Sequence, residues 1–299
     1  MHWVTYLSEA VLAIATLITP IGKALVVHCL TWPRDDTLYD GKPLPLIPLD
    51  KTELQGKHIL VIGGTRGTGW GTALVSTRAG AHVTLVGRNA EVGHRSVTAL
   101  QQEAKHGQET RRRQQQKHQQ QQFIRYIQGD IGSIESTLKL IRRLIARNTQ
   151  SAHNQNNTLQ PPFDMLVVSA GIFPDWGDLR NADGWEKSYA IAVIGRYLLY
   201  RHMRQYMTTQ NPRVLNILAS GMQIPYLLDR SMATPHGKLP RSLPQAMIHF
   251  NTAHELMLMG LEQRGLVPPN MCFISTHPGV IVTELHRGQG RIMQYIKQL

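Results

Sequence analysis

The residues with the most chemical content lie together in Val61-Ile-Gly-Gly-Thr-Arg-Gly-Thr-Gly-Trp-Gly71. Gly63, Gly67 and Gly69 stand between an apolar run, 57–62, and a helix-like stretch, 72–78; a second β-like run, 82–86, follows at once. A strand, a glycine turn, a helix and a strand within about thirty residues form the unit that binds a dinucleotide. Glycine meets three needs there: a tight turn, close approach of the backbone to a pyrophosphate, and tight packing of helix on strand. Thr65 and Thr68 belong to the same turn. The helix N-terminus then offers unbonded N–H groups and the positive end of its dipole to phosphates.

Charge bears on which nucleotide would bind. A site selective for NAD places an acid after the second strand, where it accepts hydrogen bonds from the ribose 2′-OH. This chain has Gly87-Arg88-Asn89 there, and Arg66 lies inside the glycine turn. Two guanidinium groups suit a 2′-phosphate. The expected nucleotide is NADP(H); the competing reading is exposed arginines in ordinary salt bridges.

These residues need a scaffold, and the chain supplies one by alternation. Strand-like runs fall at 57–62, 82–86, 123–128, 165–169, 213–218 and 271–276. Helix-like stretches fall at 72–78, 91–103, 134–147, 184–207 and 244–264. Such alternation predicts an α/β fold, a Rossmann-like doubly wound parallel sheet with helices on both faces. The strands are continuous apolar runs, as expected when both faces are covered.

Domain organisation follows from composition. Residues 10–30 are mostly apolar but contain Pro20, Lys23 and His28. The run is near the length of a membrane span, yet Lys23 would sit inside it. No basic region precedes it, which argues against a cleavable signal. Three readings of 1–30 stay open: a membrane anchor, an interfacial helix, or a hydrophobic helix packed on the protein's own surface. Membrane association is the leading one. Pro33, Pro43, Pro45 and Pro48 mark 31–56 as an extended linker. Residues 57–299 form the nucleotide-binding domain, interrupted by low-complexity insertions at 108–122 and 148–162.

Of the broad function classes, nucleic-acid binding is tempting because the formal charge is +12 over 299 residues. Part of that charge sits in the Arg/Gln tract, with no zinc-finger or stacking pattern beside it, so a solvated loop is the preferred reading. Cys29 and Cys272 make neither a metal-ligand pattern nor a disulfide framework, which suits a reducing, intracellular compartment. Asn156-Asn157-Thr158 matches a glycosylation sequon but lacks a secretory context.

With these motifs placed, 57–285 resembles the short-chain dehydrogenase/reductase family through four landmarks in order. The family's Thr-Gly-x-x-x-Gly-x-Gly reads Ile62-Gly63-x-x-x-Gly67-x-Gly69. Gly129-Asp130-Ile131 follows the third strand; the resemblance implies that Asp130, beside Ile131, contacts the adenine. Val168-Ser169-Ala170-Gly171 stands where the family has Asn-Asn-Ala-Gly. His277-Pro278-Gly279-Val280-Ile281-Val282-Thr283 is similar to Pro-Gly-x-x-x-Thr, which implies that Pro278, Gly279, Val280 and Thr283 border the nicotinamide.

The resemblance implies hydride transfer between a carbonyl or alcohol and the nucleotide, with proton transfer by a tyrosine whose pKa a lysine four residues on lowers. That pair is missing. No tyrosine lies between Tyr226 and Tyr295, and no lysine between Lys238 and Lys297. The asparagine of the family's relay reads Ala192. Ser220 stands one residue late for the family's serine, and a hydrogen-bonded turn serine is an equal reading. His249 can donate a proton because imidazole titrates near neutrality, against the plainer reading of a surface or core histidine. Two functions are therefore carried forward. One is an NADP(H)-dependent oxidoreductase acting on a hydrophobic small molecule, with Ser220, His249 or water as proton donor. The other is a catalytically silent NADP(H)-binding sensor or scaffold. The resemblance also implies a homodimer formed through the helices at 184–207 and 244–264.

Overall fold

The computed structural model describes residues 54–113, 122–150, 162–172, 179–208, 210–218 and 228–276. The chain divides into two compact units, Met1–Pro48 and Leu49–Leu299, and the described residues belong to the second. The hydrophobic segment 1–30, nearly all of the linker 31–56 and most of both insertions lie outside the described residues.

Six parallel strands carry the molecule: β1 (His58–Ile62), β2 (His82–Gly87), β3 (Ile124–Gln128), β4 (Met165–Val168), β5 (Arg213–Ile217) and β6 (Cys272–Thr276). They lie in the order β3-β2-β1-β4-β5-β6. All five pairings are parallel, with His58 against His82 and Ile59 against Met165 setting the register at the centre. This is the doubly wound arrangement in which the strand order reverses between β1 and β4, leaving a crevice at their carboxyl ends.

Successive side chains of a strand point to opposite faces. Every residue of β1 and β2 is buried. Leu60, Ile62, Val86, Leu166 and Val168 therefore enter one core, with Leu140 and Leu144 from α3 (Ile134–Gln150). Ile59, Val61, Val83, Leu85 and Val167 enter the other, with Ala73 of α1 (Gly67–Arg78) and Leu100 of α2 (Ala90–Arg113). Between β4 and β5 run α4 (Lys187–Tyr189), a π-helical stretch Ala190–Gly195, and α5 (Arg196–Met203). Glu186 starts this helical run, its carboxylate accepting from Ser188 N at 2.9 Å and Tyr189 N at 2.7 Å. α6 (Leu243–Gln263) precedes β6, with Ser242 Oγ accepting from Gln245 N at 3.3 Å.

All six strands agree with the sequence expectation to within a residue at either end. The helices differ more. α1 begins at Gly67, not at 72, because three of the turn's residues are the helix's first turn. α2 continues to Arg113, into the start of the Arg/Gln tract. Gln, Glu, Lys and Arg are good helix formers, so a polar composition does not end a helix. Among the described residues no helix is long and apolar enough to cross a membrane.

Candidate functional site

The glycine turn is fixed from both sides. Gly63 N and Gly64 N both donate to Val86 O, at 2.9 and 3.1 Å, tying the turn to the end of β2. Gly63 has φ +80, and a Cβ there would stand 2.6 Å from Ala170 N. A Cβ on Gly69 would stand 2.4 Å from Gly63 O. Only glycine fits either place: the first combines a left-handed backbone with contact against the segment after β4, and the second lets α1 settle onto the turn. Arg66, in extended conformation, is the N-cap residue of α1 and gives it no side-chain cap. No acidic residue occupies the first turn. The Gly67, Thr68 and Gly69 end of the helix is thus built without the side-chain acceptor that usually satisfies such amides, the arrangement that suits an incoming phosphate.

Further expected nucleotide contacts among the described residues follow the carboxyl ends of β2, β3 and β4. Ser96 Oγ donates to Thr65 O at 3.2 Å, and a Cβ on Gly87 would stand 2.7 Å from Thr65 Cγ2. The turn and the end of β2 are therefore in direct contact. Arg88 and Asn89 follow, both exposed. Gln128 Nε2 donates to Arg88 O at 3.0 Å, fixing the backbone from β3. Asn89 Oδ1 accepts from Val92 N at 3.0 Å and so caps α2, an occupation of its side chain that the sequence motif does not reveal. Asp130 Oδ1 accepts from Gly132 N at 3.1 Å, which holds the carboxylate at the end of β3. Ile131 is buried, and its carbonyl would lie 2.4 Å from a Cβ on Gly195. Ala170 N donates to Ile62 O at 3.1 Å, while Gly171 is exposed with nothing within 4 Å of a Cβ placed on it.

A glycine cradle too tight for any other residue and a helix end with no side-chain cap suit a dinucleotide, and Gly171 is exposed among the described residues. If one is held, its diphosphate belongs at the turn. One half then lies toward Arg88 and Asp130, and the other toward Ala170, Gly171 and the end of β5.

Where the family's proton relay would stand, apolar side chains surround Tyr189 and His249. Ala192 is buried in a cluster with Tyr189, Val193, Phe250 and Ala253, against which Leu218 and Met247 pack. The start of α6 buries Ala246, Ile248, His249 and Phe250. His249 Nε2 lies 3.0 Å from Asp229 O, and its ring leans on Tyr189 at a centroid distance of 5.2 Å. Burial pushes its pKa below the ordinary histidine value. The neutral ring then donates Nε2–H to the carbonyl, a bond that protonation elsewhere on the ring does not require. Burial likewise pushes Tyr189 up to about 12, with no cation among the causes that could offset it. Ser220, Pro278, Gly279, Val280 and Thr283 lie outside the described residues.

The most polar group at this depth is one that motif reading passed over. Arg196 is fully buried. Its guanidinium donates to Asn216 Oδ1 at 3.1 Å, to Ala170 O at 3.2 Å and to Ile217 O at 3.1 Å. Tyr200 OH donates to the same Asn216 Oδ1 and lies 3.3 Å from His254 Nε2. Burial pushes Tyr200 up to about 12 although Arg196 draws it down. It pushes the His254 pKa below its ordinary value as well. A lone arginine inside Ala190-Ile-Ala-Val-Ile-Gly-Arg-Tyr-Leu-Leu199 and an asparagine inside the β5 run were the visible signals, since a charge amid apolar residues needs partners.

No family model matches the chain. Among known proteins, it is similar to the short-chain dehydrogenase TIC 32 A, chloroplastic, of Brassica napus, 24% identical over 262 residues covering 82% of this chain and 71% of the relative. An uncharacterized oxidoreductase of Schizosaccharomyces pombe is 26% identical over 251 residues, 80% of this chain and 64% of that one. The WW domain-containing oxidoreductase of Gallus gallus is 24% identical, over 83% of this chain and 55% of its own length. Among solved structures, the angucycline C-6 ketoreductase LanV with bound NADP aligns with a TM-score of 0.56 at 15% identity, over 82% of this chain and 80% of that chain. The RhlG/NADP active-site complex of Pseudomonas aeruginosa aligns at 0.53 with 19% identity, over 80% and 77%. The structural likenesses bear on the fold alone, which they share with the six-stranded sheet described above. Ordered landmarks, sheet topology and named relatives agree in one respect: the chain is similar to short-chain dehydrogenases and oxidoreductases and shares their fold.

Proposed function

We propose that this protein binds NADP(H) across the β1–β4 crevice and exchanges hydride with a carbonyl or alcohol group of a hydrophobic small molecule. The observation that carries the nucleotide assignment is the end of β2. It presents Arg88 where an NAD-selective site needs an acid, directly beside a glycine cradle with no room for a side chain. The amides of Gly67 and Gly69 hold the diphosphate at a turn that Gly63 closes through Val86, and Arg88 with Arg66 pairs the 2′-phosphate. Asp130 faces the adenine side; Ala170 and Gly171 border the nicotinamide half. Bound there, the nucleotide supplies or accepts the hydride. LanV and RhlG are each named with NADP, which supports the same nucleotide here.

Proton transfer in this proposal falls to Ser220, His249 or water, since no tyrosine–lysine pair is present. His249 must leave the carbonyl of Asp229 to serve. Apolar residues near Ala192 and Leu218 suit a hydrophobic substrate.

The same cluster favours a second reading, NADP(H) binding without turnover, because Ala192, Met247 and Phe250 cannot relay protons. One pair of measurements separates the two: NADPH binding by fluorescence, and NADPH consumption against aldehydes, ketones and quinones. Consumption that Ser220→Ala or His249→Gln lowers at least tenfold supports the oxidoreductase. Binding without consumption supports the sensor.

Two further parts of the proposal concern partners. Residues 10–30 bring the protein to a membrane surface inside the cell, in preference to the open cytoplasm. Two copies pair through α5 and α6, whose Tyr197, Leu256 and Met259 are exposed at 37%, 43% and 54%. A monomer by light scattering without detergent overturns the pairing.

A further inference from the structure

Arg196 is unexplained by any role so far assigned. Its acceptors among the described residues are neutral: one amide oxygen and two main-chain carbonyls. Its Nε has no acceptor among the described residues. A guanidinium keeps its charge in proteins, so a full positive charge sits fully buried with no carboxylate among those acceptors. Such a charge is costly and acts through a low dielectric, where its field is screened far less than at a surface.

Its place decides what that field acts on. The carbonyl of Ala170 lies two residues past the end of β4 and that of Ile217 ends β5. The two guanidinium bonds therefore pin together the carboxyl ends of the strands that form the nicotinamide side of the crevice. Ala170 is also the residue against which Gly63 is pressed. The nicotinamide ring carries a positive charge when oxidised and none when reduced. The remainder of NADP(H), including its 2′-phosphate and diphosphate, is common to both forms.

We propose that Arg196 is a positioning residue that makes this site discriminate the oxidation state of its nucleotide, holding NADPH more tightly than NADP⁺. It orients the Ala170 and Ile217 carbonyls and adds a fixed positive charge beneath the ring. This inference rests on the nucleotide site proposed above and assigns that site a preference.

The test compares Kd for NADPH and NADP⁺ by calorimetry on the full chain. The wild type is expected to favour NADPH by on the order of tenfold, the ratio a unit charge roughly 10 Å away imposes at an effective dielectric of about 20. Arg196→Lys, which keeps the charge, is expected to retain most of the preference. Arg196→Met is expected to bring the ratio near one. A second measurement needs no variant: the ratio stays constant between low and high salt while both affinities fall together, because the buried charge is unscreened and Arg66 and Arg88 are exposed. Equal affinities in the wild type, or an unchanged ratio in folded Arg196→Met, overturn the inference. Failure of both nucleotides to bind removes the site itself, a distinct result.

Discussion

At Gly63 one methyl group is enough to decide the site. With φ +80 and the Ala170 amide 2.6 Å from any Cβ, an alanine must push the segment after β4 away from the turn. Gly63→Ala is expected to weaken NADPH binding at least tenfold and to lower stability by about 1–3 kcal/mol, read by fluorescence titration and denaturant unfolding. Arg88→Glu should lower NADPH affinity and raise the relative affinity for NADH, since a carboxylate repels the 2′-phosphate and accepts from a 2′-OH. An unchanged NADPH/NADH ratio would remove Arg88 from the site. Gly63 and Gly69 were legible in sequence because their roles depend on backbone freedom and close approach at a recognisable turn. Arg196 was not, because its partners come from β4 and β5, 20 and 26 positions away for Asn216 and Ala170. His249 could be picked out as a titratable group, but nothing local showed that the carbonyl of Asp229 engages its ring.

At the scale of elements, the π-helical stretch Ala190–Gly195 positions the site from beneath. Its last residue presses on Ile131, with 2.4 Å between that carbonyl and any Cβ at Gly195. Gly195→Val should separate this stretch from the β3–α3 junction and cost about 1–3 kcal/mol, checked by urea unfolding; a neutral effect would mean the packing yields freely. Loss of Ser242 Oγ as a cap should cost about 1 kcal/mol in Ser242→Ala, which shortens α6 at the end nearest His249. Apolar runs placed every strand; the central ones, buried on both faces, leave an unmistakable block such as Ile59-Leu-Val-Ile62, whereas β6 is apolar in sequence yet leaves Cys272 and Ile274 exposed. Helix ends were harder. The glycines at 67 and 69 read as part of the turn ahead of the helix, yet the close approach of α1 to the turn requires them inside its first turn. A π-helical register depends on neighbours across the core, here Ile131, and has no local signature.

For the whole molecule, three histidines make folding depend on pH. His82 accepts from Phe123 N at Nδ1, His249 pairs with Asp229 O, and His254 lies beside Tyr200; burial lowers the pKa of each. The folded protein therefore binds fewer protons than the unfolded chain just below the ordinary histidine pKa. Their contribution is complete above that value and is lost as pH falls through it toward the depressed folded values. The melting temperature should drop by several degrees between about pH 7.5 and about pH 5.5. His82→Gln should flatten that slope, and a melting temperature independent of pH would contradict the burial argument. The overall topology was legible because strand–helix alternation leaves few ways to wind a parallel sheet.

The account stands most directly on one titration of the full chain by isothermal calorimetry with NADPH, then NADH. It expects heat and saturation with NADPH, at least tenfold tighter than with NADH. No heat with either nucleotide, or equal affinity for the two, would contradict it.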